Sequence, residues 1–147
     1  MARFFDIHDA NAALSELRSI LTTLRDERTQ LIALRDEFAR QTTPERGQAS
    51  GGPTDDATSA ESAGDSDERR RLRLRMQGVI DQMQAGVARI DELGVTLREI
   101  ETGLIDFPAL VNGRQVWLCW RLGDDDVAWW HELSEGFSGR RPLAELS

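Results

Sequence analysis

Between two runs of alternating character, Leu104 to Val111 and Arg114 to Leu122, stands the dipeptide Asn112-Gly113. A type I′ turn needs positive φ at both central residues, which Asn and Gly tolerate, so the pair predicts a two-residue β-hairpin. The turn also fixes the register, because with Val111 opposite Arg114 every further pair follows by counting outward. Ile105, Phe107, Ala109, Val116, Leu118 and Trp120 then share an apolar face. The reverse face sets Pro108 opposite Trp117, Asp106 opposite Cys119 and Leu104 opposite Arg121. Pro108 has no backbone donor, which suits an edge strand or a bulge, and a bulge there would shift the outer pairs by one.

Two longer periodic stretches precede the hairpin. Ala13, Leu14, Leu17, Leu21, Leu24, Leu31, Leu34 and Phe38 recur at steps of mostly three and four, the period of a helical stripe. Asp6 is suited to cap this helix, with Asp9 in its first turn and Phe5 in the position of a hydrophobic staple. His8 belongs to the same helix start. Leu72, Met76, Val79, Ile80, Met83, Val87, Ile90 and Leu93 form a second stripe, closed by Gly94 as C-terminal cap. Neither stripe can be buried alone, so the two are expected to pack as an antiparallel, coiled-coil-like hairpin. Gly78 and Gly86 would allow close helix contact. For 95–102 the steps Leu93, Leu97, Ile100 and Leu104 also fit a continued helix; a strand is the reading adopted.

The segment 42–67 has no Leu, Ile, Val, Phe, Trp or Met, and one Arg against six acids. It is read as a disordered acidic linker carrying most of the net charge of −8. The expected organisation is a strand-like lead and long helix over 1–41, the linker over 42–67, a second long helix over 68–94 and a β-hairpin subdomain over 95–147. The fold class is therefore α+β, mainly α: a long antiparallel helical hairpin with a small C-terminal antiparallel β-subdomain.

An acidic balance repels phosphate backbones and anionic lipid, so neither nucleic acid nor membrane is an expected partner. The basic run Arg69, Arg70, Arg71, Arg73, Arg75 has no interleaved aromatic and reads as a solvated face beside the acidic linker. Cys119 is the single cysteine, Asp6 and Asp9 interrupt any apolar leader, and no run reaches the roughly 20 apolar residues of a membrane span. A cytoplasmic protein is the expectation.

The reverse face of the hairpin needs a cover, and Val127 to Leu133, with Trp129, Trp130 and His131, is the segment expected to supply it. Gly136-Phe137-Ser138-Gly139-Arg140-Arg141-Pro142 reads as a terminal loop. These strings, with Gly103-Leu104-Ile105-Asp106-Phe107-Pro108, Leu118-Cys119-Trp120-Arg121-Leu122-Gly123, Trp130-His131-Glu132 and the early Ala10-Asn11-Ala12-Ala13-Leu14 after Phe5, resemble the signature of a bacterial family known as domain of unknown function 2203. The resemblance covers nearly the whole chain outside the linker. It implies a small helical hairpin with a C-terminal motif cluster, and supplies no activity, cofactor or catalytic residue.

Three function classes compete. The reading adopted is a non-enzymatic interaction or scaffold module, homodimeric through the helical hairpin, with an unidentified protein partner as a further expectation. Arg121, Arg140, Arg141, Trp117 and Trp130 are its candidate anion or partner contacts. The second class is a divalent-metal protein, for which Asp106, Cys119 and His131 supply ligand types at a spacing unlike any zinc finger. The third is a small thiol or acid-base enzyme on an anionic substrate, with Asp106, His131 and Glu132 as candidate catalytic groups and Arg140 and Arg141 as a clamp. The alternative to any site is plain packing, with Asp106 paired to Arg121 or Arg140.

Overall fold

A computed structural model describes the backbone of residues 3–42 and 58–146 and the side chains of 3–41 and 67–146. The first helix, α1, runs Ile7–Thr42 and the second, α2, Thr58–Glu92. At the start of α1, Asp6 Oδ1 accepts the backbone N–H of Asp9 at 2.7 Å, the capping bond that its position predicted. Phe5 and Ala10, at the two staple positions, both enter the core. At the end of α2 the N–H of Val95 donates to Ile90 O (3.2 Å) and that of Gly94 to Asp91 O (2.9 Å). Together these bonds form a Schellman cap.

α2 starts earlier than expected. The stripe predicts a helix from 68, whereas helical backbone begins at Thr58. The linker expected over 42–67 is thus shortened, and 43–57 lie outside the described residues.

The C-terminal part is a five-stranded antiparallel sheet in the order β1-β2-β3-β4-β5, comprising Thr96–Glu99, Leu104–Val111, Arg114–Arg121, Trp129–His131 and Arg141–Pro142. Asn112 and Gly113 both have positive φ (53° and 78°), as a type I′ turn requires. All eight β2–β3 pairs follow, from Val111 opposite Arg114 to Leu104 opposite Arg121, and Pro108 causes no shift. The irregularity falls instead between β1 and β2, at a bulge between Leu97 and Glu99.

Two expectations about the sheet need correction. Trp129 to His131 do not cover the reverse face; they form β4, which extends the sheet by pairing Trp117 with His131, Leu118 with Trp130 and Cys119 with Trp129. The exposed donors and acceptors along β3 make edge pairing the favourable outcome for so short an apolar segment. The segment read as a terminal loop is also ordered, as a 3-10 turn Phe137–Gly139, strand β5 and a second 3-10 turn Leu143–Glu145. At the other end of the chain, residues 3–6 carry no strand, although the N–H of Phe5 donates to Pro108 O at 2.7 Å.

The chain divides into two compact units, Met1–Arg28 with Met83–Ser147, and Thr29–Gln82. In the first, the apolar sheet face (Ile105, Phe107, Val116, Leu118, Trp120) packs on Leu14, Leu17, Leu21 and Ile90 of the helices. The Phe5 ring meets Phe107 edge to face at 5.1 Å. The helices here run antiparallel: Arg89 Nε donates to Glu16 Oε1 at 2.8 Å, and further along α1 a Cβ on Gly86 would sit 3.1 Å from Leu24 Cδ2. Gly86 therefore permits close approach, whereas nothing lies within 4 Å of a Cβ on Gly78. In the second unit Leu34, Leu72 and Val79 are buried, and Arg73 stacks over Phe38.

Candidate functional site

The sheet face turned away from the helices holds a small polar core. Asp106 on β2 and Cys119 on β3 are directly paired, as the turn count required. His131 on β4 is paired to Trp117, one diagonal step from Cys119. A thiol is short, so the side chains from the two flanking strands meet above it, and His131 Nε2 comes within 3.0 Å of Asp106 Oδ2. One ligand atom from each of the three residues lies within 4.8 Å of the others. All three residues are buried, at 2%, 0% and 1% exposure.

The bonding inside this cluster is unusual. His131 Nδ1 is 2.8 Å from the backbone carbonyl of Glu132. A carbonyl only accepts, so Nδ1 carries a hydrogen, and Nε2 either donates a second hydrogen to Asp106 Oδ2 or, in the neutral ring, turns a lone pair to it. Asp106 Oδ2 also receives Nε of Arg98 at 2.8 Å. Asp106 Oδ1 is buried with no hydrogen-bond partner among the described residues. Burial and the Asp106 charge together push the Cys119 thiol up to about 12, against an opposing pull from Arg140.

Two arginines frame the cluster from opposite edges of the sheet. Arg98, on β1, stacks over Trp117 with its guanidinium carbon 4.9 Å from the ring centre. Arg140, just after the 3-10 turn, stacks over Trp129 (4.5 Å) and Phe137 (4.2 Å) and donates Nη1 to Asp124 Oδ2 at 3.3 Å. Stacking holds each guanidinium plane in place while leaving its edges for polar partners.

Several candidates fall elsewhere. Glu132 pairs with Arg114 at 2.6 Å and contributes only its backbone carbonyl to the cluster. Arg141 pairs with Glu135 at the sheet edge, Arg121 stacks over Phe137, and Trp130 is buried in the apolar core with Nε1 donating to Pro142 O. Trp130 cannot then be a partner contact, because its pairing with Leu118 turns it to the helix side. The partner of Asp106 is neither Arg121 nor Arg140 but Arg98. Counting from a turn could not find it, since the β1 bulge breaks the alternation at that residue. Arg98 also borders an open groove of about 470 Å³ with Arg28, Met83, Leu97 and Ile100, away from the buried thiol.

The family model described as an uncharacterized conserved protein, DUF2203, matches residues 3–143. The chain belongs to the DUF2203 family. No curated protein and no solved structure matches it. The DUF2203 match spans every residue of the Asp106, Cys119 and His131 cluster and both framing arginines. Among the described residues of this DUF2203 protein, no helix is long and apolar enough to cross a membrane.

Proposed function

We propose that this protein binds a transition-metal ion through Asp106, Cys119 and His131. The observation that carries the reading is Asp106 Oδ1, a buried carboxylate oxygen with no hydrogen-bond partner among the described residues, set beside the Cys119 thiol and the His131 imidazole. A buried unpaired polar atom costs several kcal/mol unless something satisfies it, on the order of the handful by which a whole domain is stable. A proton on Nε2 would relieve the contact with Oδ2 and leave Oδ1 unsatisfied. A cation set among Oδ1, Nε2 and Sγ answers all three atoms at once.

The donor set fits this role. Thiolate, imidazole and carboxylate are ligands for zinc and its neighbours, and bonds of roughly 2.0–2.3 Å place tetrahedral ligands roughly 3.3–3.8 Å apart, within reach of the spread seen here. Nδ1–H of His131 donates to the Glu132 carbonyl, which leaves Nε2 as the nitrogen that would ligate, and Arg98 holds Oδ2 so that Oδ1 is presented; these are the outer bonds that metal ligands ordinarily have. Metal binding would displace the thiol proton to solvent, leaving a thiolate ligand. Both catalytic alternatives are weaker. A thiol held up to about 12 is not a nucleophile at neutral pH, and His131, at 1% exposure, turns no nitrogen to solvent where a substrate could meet it.

Elemental analysis of protein purified without an affinity tag tests the reading. About one equivalent of metal is expected, lost on Asp106→Ala or His131→Ala with the helical circular dichroism retained. A native-folded, chelated protein that takes up neither Zn²⁺ nor Co²⁺ would sink it.

A second reading, the homodimeric interaction module, rests on a separate observation. In the Thr29–Gln82 unit Leu31, Ile32, Phe38, Met76 and Ile80 are only half-buried and Leu74 is 64% exposed, more apolar surface than two helices cover for each other. Sedimentation that gives a monomer across a wide concentration range removes it.

A further inference from the structure

We infer that the fourth position of this metal centre takes a tetrahedral oxyanion, gripped from two sides by Arg98 and Arg140; the inference rests on the metal reading above. Three protein ligands leave one position of a tetrahedral ion open. Charge decides what enters it. A divalent ion with one thiolate and one carboxylate is neutral, and the other charges on this face are Arg98, Arg121 and Arg140 against Asp124, a positive surplus.

Geometry selects the class of anion. Arg98 arrives from β1, at one edge of the sheet, and Arg140 from the segment leading into β5, at the other, with the cluster on β2, β3 and β4 between them. Metal and two guanidiniums therefore approach from three directions. A phosphate-like group offers an oxygen to each, whereas a carboxylate has only two oxygens to share. Arg98 commits Nε to Asp106 and keeps 42% of its side chain in solvent, so the ligand enters on the outer side of the sheet. Arg140 commits Nη1 to Asp124, and its ring stacking sets the plane of its other donors.

The test uses the full chain loaded with Co²⁺, whose visible absorption reports its ligands, titrated with inorganic phosphate and, separately, with acetate. Phosphate should shift the Co²⁺ bands saturably and acetate should do so much more weakly. Arg140→Gln should need more Co²⁺ for loading, because the thiolate loses a cationic neighbour, and once saturated with Co²⁺ it should weaken phosphate by about tenfold or more, with Arg140→Lys intermediate. Co²⁺ bands that phosphate leaves unmoved, an acetate response equal to that of phosphate, or an Arg140→Gln protein with unchanged phosphate affinity would each overturn the oxyanion and leave the metal standing. Absence of Co²⁺ uptake would instead remove the metal reading and this inference with it.

Discussion

At the scale of single residues, Cys119 makes the clearest separation between a reactive and a structural thiol. It is fully buried at the centre of a strand, and its ionisation is pushed up to about 12 by burial first and the Asp106 carboxylate second. In chelated protein the thiol should therefore resist iodoacetamide at pH 8 and react at the ordinary rate once urea unfolds the chain. The sign of the pH dependence follows. An unfolded cysteine ionises near 8.5, so above that pH the unfolded chain releases a proton that the folded chain keeps until about 12, and stability falls by about 1.4 kcal/mol per pH unit across that window. Urea midpoints of chelated wild type and Cys119→Ala at several alkaline pH values check this, since the variant lacks the slope due to this group. Fast labelling of folded, chelated protein at pH 8 would mean that the thiol is open and that the strand packing described above is wrong.

At the scale of elements, two glycines with positive φ close the turns at either end of β2, and they should respond differently to substitution. Gly113 has φ +78° and open space around it, so Gly113→Ala costs only backbone strain, about 1 kcal/mol. Gly103 has φ +67°, and an added Cβ would fall 2.6 Å from Leu122 Cδ1 and Cγ. Strain and overpacking combine there, and Gly103→Ala should cost about 3 kcal/mol. Equal urea midpoints for the two variants would contradict the tight Gly103 approach. The contrast also shows what a sequence discloses at this scale. The β2–β3 register was legible because Asn112-Gly113 is a local signal and every later pair follows by parity, so the sequence alone sets Asp106 opposite Cys119. The place of β4 was not legible, because three residues carry no usable period and their pairing with β3 is a long-range choice between covering a face and extending an edge. Arg98 was hidden by the bulge and the start of α2 by the absence of an apolar stripe over 58–67.

For the molecule as a whole, the division into two units predicts a division of labour. Every residue of the apolar core described above lies in Met1–Arg28 or Met83–Ser147, as do all four Trp residues, the Asp106, Cys119 and His131 cluster, and both framing arginines. Arg28 and Met83, where the chain leaves and re-enters this unit, line the same groove and are close enough for a few flexible residues to join. The core does not draw on Thr29–Gln82, so a chain with that unit replaced by a short Gly-Ser turn should fold. Its buried Trp120, whose Nε1 donates to Asp125 O, should give native near-ultraviolet circular dichroism, and it should take up metal like the full chain. The half-buried stripe of Leu31, Ile32, Phe38, Met76 and Ile80 leaves with the excised unit, so dimerisation should leave with it: sedimentation is expected to give a dimer for the full chain and a monomer for the shortened one. A shortened chain that is unfolded would show that the sheet depends on the helical extension, and a shortened chain that still dimerises would move the interface onto the unit that carries the cluster.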